Sequence, residues 1–593
     1  MIVAMMLAAV LLFGWPILMH KLYPNADKPH AAPAAAPAGH GPAPADPTTL
    51  KPTREGGLVS AQDAGIENSE LKHDLSALNR VPVAAPALTG SIDLAGGVID
   101  DLTLNRHKAT LAKDSGPMRM FSPQGTVAQH FAQAGWVPAP GTTLPAGVQL
   151  PSANTAWTAP AGAKLTPATP VTLSWSNTTG QTFTLTYAID QDYLITITQG
   201  VVNKGTAPLN LAPYAFINRT DRTAALRTYN VRTGPFGAFD GSVTFSNQYK
   251  DVNTAGLINN EGHADWLGFT DVYWMSVLVP DANAQASTDF RALGGGLYRA
   301  DLIYKPVAIA PGASAQTVTR LFAGAKEVPV LDRYEKAGIV NFSKSLDWGW
   351  FWFFEQPILS LLTWIFHATG NFGVAIILLT LIVRGLMFPV AQRQFASMAA
   401  MRAIQPKVKA LQERFKEDKA QLQQETMKLY KEEGVNPLAG CLPVFLQIPV
   451  FFALYKVLMV SIEMRQAPFV AWIRDLSAPD PLHFLDLFGL IHWDMPPFLM
   501  LGPLGLLLGT TMFFQFKLQP SQPDPSQQQV MAIMPWVMMF VMSGFASGLL
   551  VYWITSNCLT MGQQAFLYSR HPGLKAQAKT AVVEAPANAK RKT

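Results

Sequence analysis

Apolar residues run almost unbroken through positions 1–19 (MIVAMMLAAVLLFGWPILM), alternate with polar ones through the middle of the chain, and gather into long blocks after position 345. The opening block predicts a membrane segment over 1–20, a short span or the apolar core of a signal peptide. No small-x-small cleavage site follows it directly, so an uncleaved anchor is expected, and the usual basic stretch before the apolar run is missing. Over 21–55, runs such as AAPAAAPAGHGPAPADP cannot bury a core and predict an extended, solvated linker.

Through 56–345 the apolar period is two. Phe183, Leu185 and Tyr187 alternate with threonines, and Tyr193, Ile195 and Ile197 repeat the pattern after Asp190. Residues 177–180 and 203–205 supply side chains suited to tight hairpin turns. A large antiparallel β-sandwich domain is predicted.

Beyond 345 the pattern changes again. Trp348, Trp350, Phe351, Trp352, Phe353 and Phe354 crowd beside Lys344 and Asp347, as rings do at a membrane surface, predicting an interfacial amphipathic helix over 346–369. Apolar blocks near 371–391, 441–462, 497–516, 530–546 and 549–568 each approach the ~20 residues that cross ~30 Å of hydrocarbon as helix. With the first segment they make a six-span helical bundle, of which five form a core over 370–569. Between the second and third spans, Ile404, Val408, Leu411 and Phe415 recur at helical spacing, Leu422 and Leu429 continue the stripe, and Gly434 with Pro437 stops it. Two short antiparallel helices over 393–436 follow, either a connector or a docking element.

Charge sets the orientation. The chain is 49% apolar, only 14% charged and carries a formal +5. Residues 392–440 hold Arg393, Arg402, Lys407, Lys409, Arg414, Lys416, Lys419, Lys428 and Lys431, whereas 463–494 hold only Arg465 and Arg474 among several acids. The first loop is therefore expected inside, as is the basic tail 570–593 with Lys575, Lys579, Lys590, Arg591 and Lys592. Both termini are then expected inside and residues from about 21 to 370 outside, which in a bacterium would be the periplasm beyond the inner membrane. The two cysteines, Cys441 and Cys558, form neither a disulfide framework nor a zinc motif.

Among the polar residues of the spans, Arg384 in TLIVRGLMFPV stands out. A mid-span charge costs about 2.5–3.5 kcal/mol on the insertion scale. No Asp or Glu lies inside any predicted span, so Arg384 either faces a wet cavity or snorkels towards the cytoplasmic end. Thr380, Gln447, Thr555, Ser556, Asn557, Gln563 and Gln564 could share such a cavity or simply join helices. Lys456 lies near the outer end of its span, within snorkelling reach. Met531, Met534, Met538, Met539 and Met542 suit either a surface that accepts varied apolar partners or ordinary core filling. Gly505/Gly509 and Gly544/Gly548 predict close helix packing, and Pro443, Pro449, Pro503 and Pro535 predict bends.

TLIVRGLMFPV, EGVNPLAGCLPVFLQIPVFFALY, RQAPFVAWIRDLSAPDP and SGLLVYWITSN together, and in this order, resemble the YidC membrane protein insertases over about 345–570. The β-domain has the size and position of the first periplasmic domain of Gram-negative members, a β-supersandwich. The resemblance implies a non-enzymatic insertase and chaperone with no cofactor and no nucleotide. It implies a groove around Arg384, with Thr380, Gln447, Tyr552, Trp553, Ser556 and Asn557, that draws in the hydrophilic segment of a nascent membrane protein. The apolar helix of that substrate would slide along the third and fifth spans past Phe445, Phe451, Met534 and Met538. Implied partners are the Sec translocon, the lipid bilayer and, through the hairpin and basic tail, the ribosome. Trp553 stands where the family pattern leads one to expect a second tyrosine.

Other classes fit less well. Ala546, Ser547 and Gly548 resemble the nucleophile turn of rhomboid-like proteases, but spans two to six contain no histidine to act as base. A transporter would use Arg384 as an anion site, yet no inverted repeat is visible. His263 beside Glu261 is the best acid–base pair of the β-domain and reads equally well as loop polarity. No phosphate-binding G-x-x-x-x-G-K-[ST] run is present.

Overall fold

The computed structural model describes residues 55–570, apart from 59, 77–78, 228–230, 283, 416–417, 435–441, 486, 488–500 and 519–524. The expected anchor at 1–20, nearly all of the 21–55 linker, the tail beyond 570 and Cys441 lie outside the described residues.

The alternation read in the sequence becomes two antiparallel sheets, one of ten strands and one of eight, packed face to face. In the strand Gln181–Ile189 every second residue is buried, with Phe183, Leu185 and Tyr187 inward. The intervening threonines face out and pair across strands, Thr182 with Ser176 and Thr186 with Thr172, each at 2.9 Å. Trp136 of the larger sheet meets Phe183 of the smaller edge to face at 5.1 Å, and each such buried ring contributes about 1.5–3 kcal/mol. Gly180 takes a φ of +91° at its hairpin. Gly205 needs space instead, because a Cβ there would lie 2.2 Å from the Gln181 amide nitrogen. His263 and Glu261 are exposed in a turn.

One polar cluster interrupts the sandwich core. Arg219 pairs with Asp271 at 2.5 Å, and the Lys326 ammonium donates to the Asp271 carbonyl at 2.6 Å and to Thr270 at 3.1 Å. All three charged side chains are buried.

The described helices are α1 (Ala61–Asp74), α2 (Tyr249–Ala255), α3 (Val328–Lys336), α4 (Trp352–Thr369), α5 (Phe372–Leu386), α6 (Phe388–Arg414), α7 (Lys419–Glu432), α8 (Leu442–Val460), α9 (Pro503–Leu518), α10 (Pro525–Met542) and α11 (Ser547–Arg570). α4 buries Ile358, Leu362 and Ile365 while Trp352, Phe353 and Trp364 stay 56%, 53% and 68% exposed, so the helix packs by one face and leaves an aromatic one uncovered. α6 and α7 form the expected hairpin. Asp418 caps α7 by accepting from the Ala420 and Gln421 amides, and Lys407 pairs with Glu433 across the two helices. Gly434, at φ +62°, follows α7.

The apolar block at 371–391 holds α5 and the start of α6, and each later block holds one helix among the described residues. Among the described residues no single helix is long and apolar enough to cross a membrane. Phe372–Leu386 and Phe388–Gln394 reach that length together and bend by 56°. Pro389, in the first turn of α6, has no amide proton to continue α5 and is accommodated at a helix start.

Candidate functional site

α5 carries Arg384 against α11, and α8 joins α11 nearby through Gln447 and Tyr552. Asn371 starts α5 by accepting from the Gly373 and Val374 amides at 2.8 and 3.1 Å, which fixes the helix that carries the arginine. Because α5 stops at Leu386, Arg384 occupies its last turn and not its middle. The C-terminal end of a helix favours a cation by about 0.3–1 kcal/mol, which offsets part of the desolvation cost.

The Arg384 side chain is half-buried and crosses to α11, where both Nε (3.1 Å) and Nη2 donate to Ser556 Oγ. Gln563, two turns further along α11, donates to the Arg384 carbonyl at 3.4 Å. Among the described residues Arg384 forms no ion pair with a carboxylate. A guanidinium has five donors, so one serine leaves most of its hydrogen-bonding capacity open. Gln447 on α8 donates to the buried Tyr552 hydroxyl, while its own Oε1 is buried without a partner among the described residues, as is that of Gln564. A buried amide oxygen without a donor is costly, so each of these two would gain from a donor brought to it.

Two expected groove residues point elsewhere. The Thr380 hydroxyl donates to the Ile376 carbonyl at 2.6 Å within its own helix, and the side chain is buried. Asn557 is buried too and donates to Thr511 of α9 at 3.2 Å, joining two helices. Trp553 remains half-exposed and packs edge to face on Phe451 at 5.1 Å, so an aromatic surface runs from α8 to α11 without the polar tip of a tyrosine. Phe445 lies on α8, its side chain outside the described residues. Met534 and Met538 are half-buried, whereas Met539 and Met542 are buried, Met539 against Gly509. The exposed face of α10 is made by Ile533, Trp536, Val537, Phe540 and Val541, so core filling accounts for two of the methionines.

Lys456 does not snorkel. It is buried on α8 and pairs with Asp347 at 3.2 Å, near the buried carboxylate of Glu355 on α4. Sequence reasoning also missed Arg465, which pairs with Glu55 at 2.8 Å, donates to the carbonyls of Lys108 and Ala109, and stacks over Trp274 at 5.2 Å. The loop after α8 is thereby fastened to the β-domain. An arginine in RQAPFVAWIRD, where Arg474 follows nine residues later, gives no signal of its carbonyl partners. Ser547 begins α11, with its hydroxyl buried and unpartnered among the described residues, and no histidine contacts it.

Two family profiles and several known relatives match this chain. A family profile described as "YidC periplasmic domain" matches residues 80–361, and one described as "60Kd inner membrane protein" matches 364–575. Membrane protein insertase YidC of Zymomonas mobilis is 40% identical over 96% of this chain and 95% of its own. That of Bradyrhizobium diazoefficiens is 42% identical over 90% and 87%. A crystal structure of an active YidC insertase with its first transmembrane domain resolved aligns over 83% of this chain and 93% of its own, with 18% identity and a TM-score of 0.34.

Proposed function

This chain belongs to the YidC family of membrane protein insertases, and from that premise we propose that it integrates and helps fold inner-membrane proteins through the groove around Arg384. Insertion is not an enzymatic reaction; the chain lowers a barrier and consumes no cofactor. The observation that carries the groove is the half-buried guanidinium held by Ser556 with no carboxylate partner among the described residues. A polar segment of a substrate meets hydrocarbon at a cost of several kcal/mol per unsatisfied backbone group. A groove offering donors at Arg384 and acceptors at Gln447 and Gln564 replaces part of the lost hydration along that path. The substrate's apolar helix leaves past Phe451, Trp553 and the exposed face of α10, with Met534 and Met538 at its edge and Phe445 further along α8.

In this reading α5 with the start of α6, α8, α9, α10 and α11 cross the membrane, and a segment at 1–20 supplies the sixth span. The excess of cations on the 392–440 loop and the tail supports cytoplasmic termini and a periplasmic β-domain. The α6–α7 hairpin and the basic tail meet the ribosome, and the Sec translocon is the partner for larger substrates. The interfacial helix α4 marks the periplasmic surface.

Depleting the native insertase and complementing with Arg384→Lys and Arg384→Ala tests the groove. Lys is expected to restore insertion of a small one-span substrate largely, and Ala to lose it for substrates with acidic outer segments. Equal insertion by both variants would remove Arg384 from the mechanism. A purified preparation in liposomes is expected to insert such a substrate without nucleotide.

A further inference from the structure

A cavity of about 810 Å³ opens between the β-domain and α4, within the range of roughly 300–1,000 Å³ of small-molecule sites. α4 turns a polar stripe to it, Gln356, Ser360 and Thr363, spaced so that they share one face, and none of these side chains has a hydrogen-bond partner among the described residues. The floor is apolar, formed by Leu359, Phe366, Phe372 and Ile462. Across from the stripe stand Arg106 and His107 with three carboxylates, Glu327, Asp332 and Glu463.

The carboxylates there are not equivalent. Glu327 is already engaged by His107 at 3.0 Å, by Arg106 at 3.3 Å and by Tyr193, and Glu463 accepts from Ser461 at 2.6 Å. Asp332 is exposed and has no partner among the described residues. Arg106, 38% exposed at its side chain, is also paired with Asp192 at 2.9 Å. Anionic lipid headgroups select pockets with a clear basic excess. Three carboxylates against one guanidinium select against them and favour a headgroup that brings its own cation. The exposed rings of Trp352, Phe353 and Trp364 flank the stripe on the same half of α4, opposite buried Ile358, Leu362 and Ile365, and an interfacial α4 would bring the cavity to the height where headgroups lie.

We propose that this cavity binds a zwitterionic phospholipid with a primary ammonium. The ammonium faces Asp332, the phosphate and glycerol oxygens take hydrogen bonds from Gln356, Ser360 and Thr363, and one acyl chain starts along Leu359 and Phe366. The site rests on the reading of α4 as an interfacial helix. It gives the β-domain a lipid-mediated seat on the membrane core, apart from the Arg384 groove.

The test places the full chain in nanodiscs of mixed phosphatidylethanolamine and phosphatidylglycerol, with a photoactivatable probe of either headgroup at trace level. The ethanolamine probe is expected to label peptides spanning 356–367 at least five-fold more than the glycerol probe. Ser360→Trp, which fills the cavity from an exposed position, is expected to abolish that labelling. Asp332→Asn is expected to reduce ethanolamine labelling several-fold and leave glycerol labelling unchanged. Equal labelling by the two probes, or labelling unchanged in Ser360→Trp, overturns the proposal. Quenching of Trp364 by brominated lipid is read in parallel. Loss of selectivity with Trp364 still quenched sinks the headgroup site alone, whereas an unquenched Trp364 sinks the interfacial placement and the site with it.

Discussion

Lys456 Nζ sits 3.2 Å from Asp347 Oδ2, an ion pair that ties the last turns of α8 to the segment leading into α4 across 109 residues of sequence. Both side chains are largely withdrawn from solvent, at 9% and 16% exposure. Removing one partner of a buried pair strands the other charge, at about 3–5 kcal/mol. Asp347→Ala is therefore expected to lower stability in detergent by ~3 kcal/mol, the low end of that range because Glu355 remains near the lysine. Lys456→Met, which strands a carboxylate nearer to water, should cost less. Thermal unfolding followed by tryptophan fluorescence decides the order, and equal losses would show that the pair does not govern this junction.

At the groove, Ser556 acts on Arg384 by holding both Nε and Nη2. Ser556→Ala removes that restraint and leaves the charge in place. Insertion is expected to fall by a few-fold, less than for Arg384→Ala, and the double variant should be no worse than Arg384→Ala alone. Ser547→Ala is expected to insert normally, since its hydroxyl has no partner among the described residues to lose. Rates of substrate protection from external protease measure all four.

Much of this was legible from local pattern. The period of two around Phe183 specified the sandwich because each strand buries one face, and Gly434 marked the end of the second hairpin helix because a C-terminal glycine acts within one helical turn. What escaped was long-range. Arg384 and Ser556 are 172 residues apart, and nothing in either segment states which neighbour the side chain meets. Thr380 and Asn557 were read as groove residues because polarity within a span has two outlets, a cavity or a neighbouring backbone or side chain, and periodicity cannot separate them. Lys456 was read as snorkelling for the same reason. The bend after Leu386 was hidden because apolar character continues through it while Pro389 restarts the helix.

The β-domain should show a pH dependence set by Lys326. Burial, opposed only in part by Asp271, lowers its ammonium from 10.5 to about 7. The folded state therefore holds fewer protons than the unfolded state between about 7 and 10.5, so stability rises with pH across that window. Below about 7 the lysine is charged in both states and its penalty is constant, on the order of a few kcal/mol. Lys326→Met is expected to flatten the slope above neutrality in urea titrations of the full chain. A slope unchanged by the substitution would assign it to other groups.

Arg465 fastens the loop after α8 to the β-domain through Glu55, two carbonyls and the face of Trp274. Hydrogen bonds to a charged group contribute about 1.5–3 kcal/mol each, and the carbonyls of Lys108 and Ala109 would lose their donor. Arg465→Ala is expected to raise amide exchange over 104–110 and around Trp274 while leaving the strand Gln181–Ile189 protected. Arg465→Lys should rescue poorly, because an ammonium cannot reproduce the planar fork that serves Glu55 and both carbonyls. Uniform exchange changes across both regions would instead indicate global destabilisation.

Gly548 offers the sharpest test of packing among the helices. A Cβ there would lie 2.9 Å from Leu458 Cδ2, 3.0 Å from the Leu476 carbonyl oxygen and 3.2 Å from Ile376 Cδ1. The two side-chain methyls can rotate, but the carbonyl is fixed because it accepts the Gly548 amide at 2.8 Å. Relief therefore requires α11 to shift away from α5, which carries Arg384, and from α8. Overpacking of this kind costs about 1–3 kcal/mol. Gly548→Ala is expected to lower stability by that amount and to slow insertion, since moving α11 carries Ser556 away from the arginine. Gly562→Ala, two dozen ångströms or less along the same helix and with open space around its Cβ, provides the control. It should be neutral or slightly stabilising, because alanine favours helix by up to about 1 kcal/mol over glycine. Were both substitutions equally mild, the close approach at Gly548 would not be what sets the position of α11.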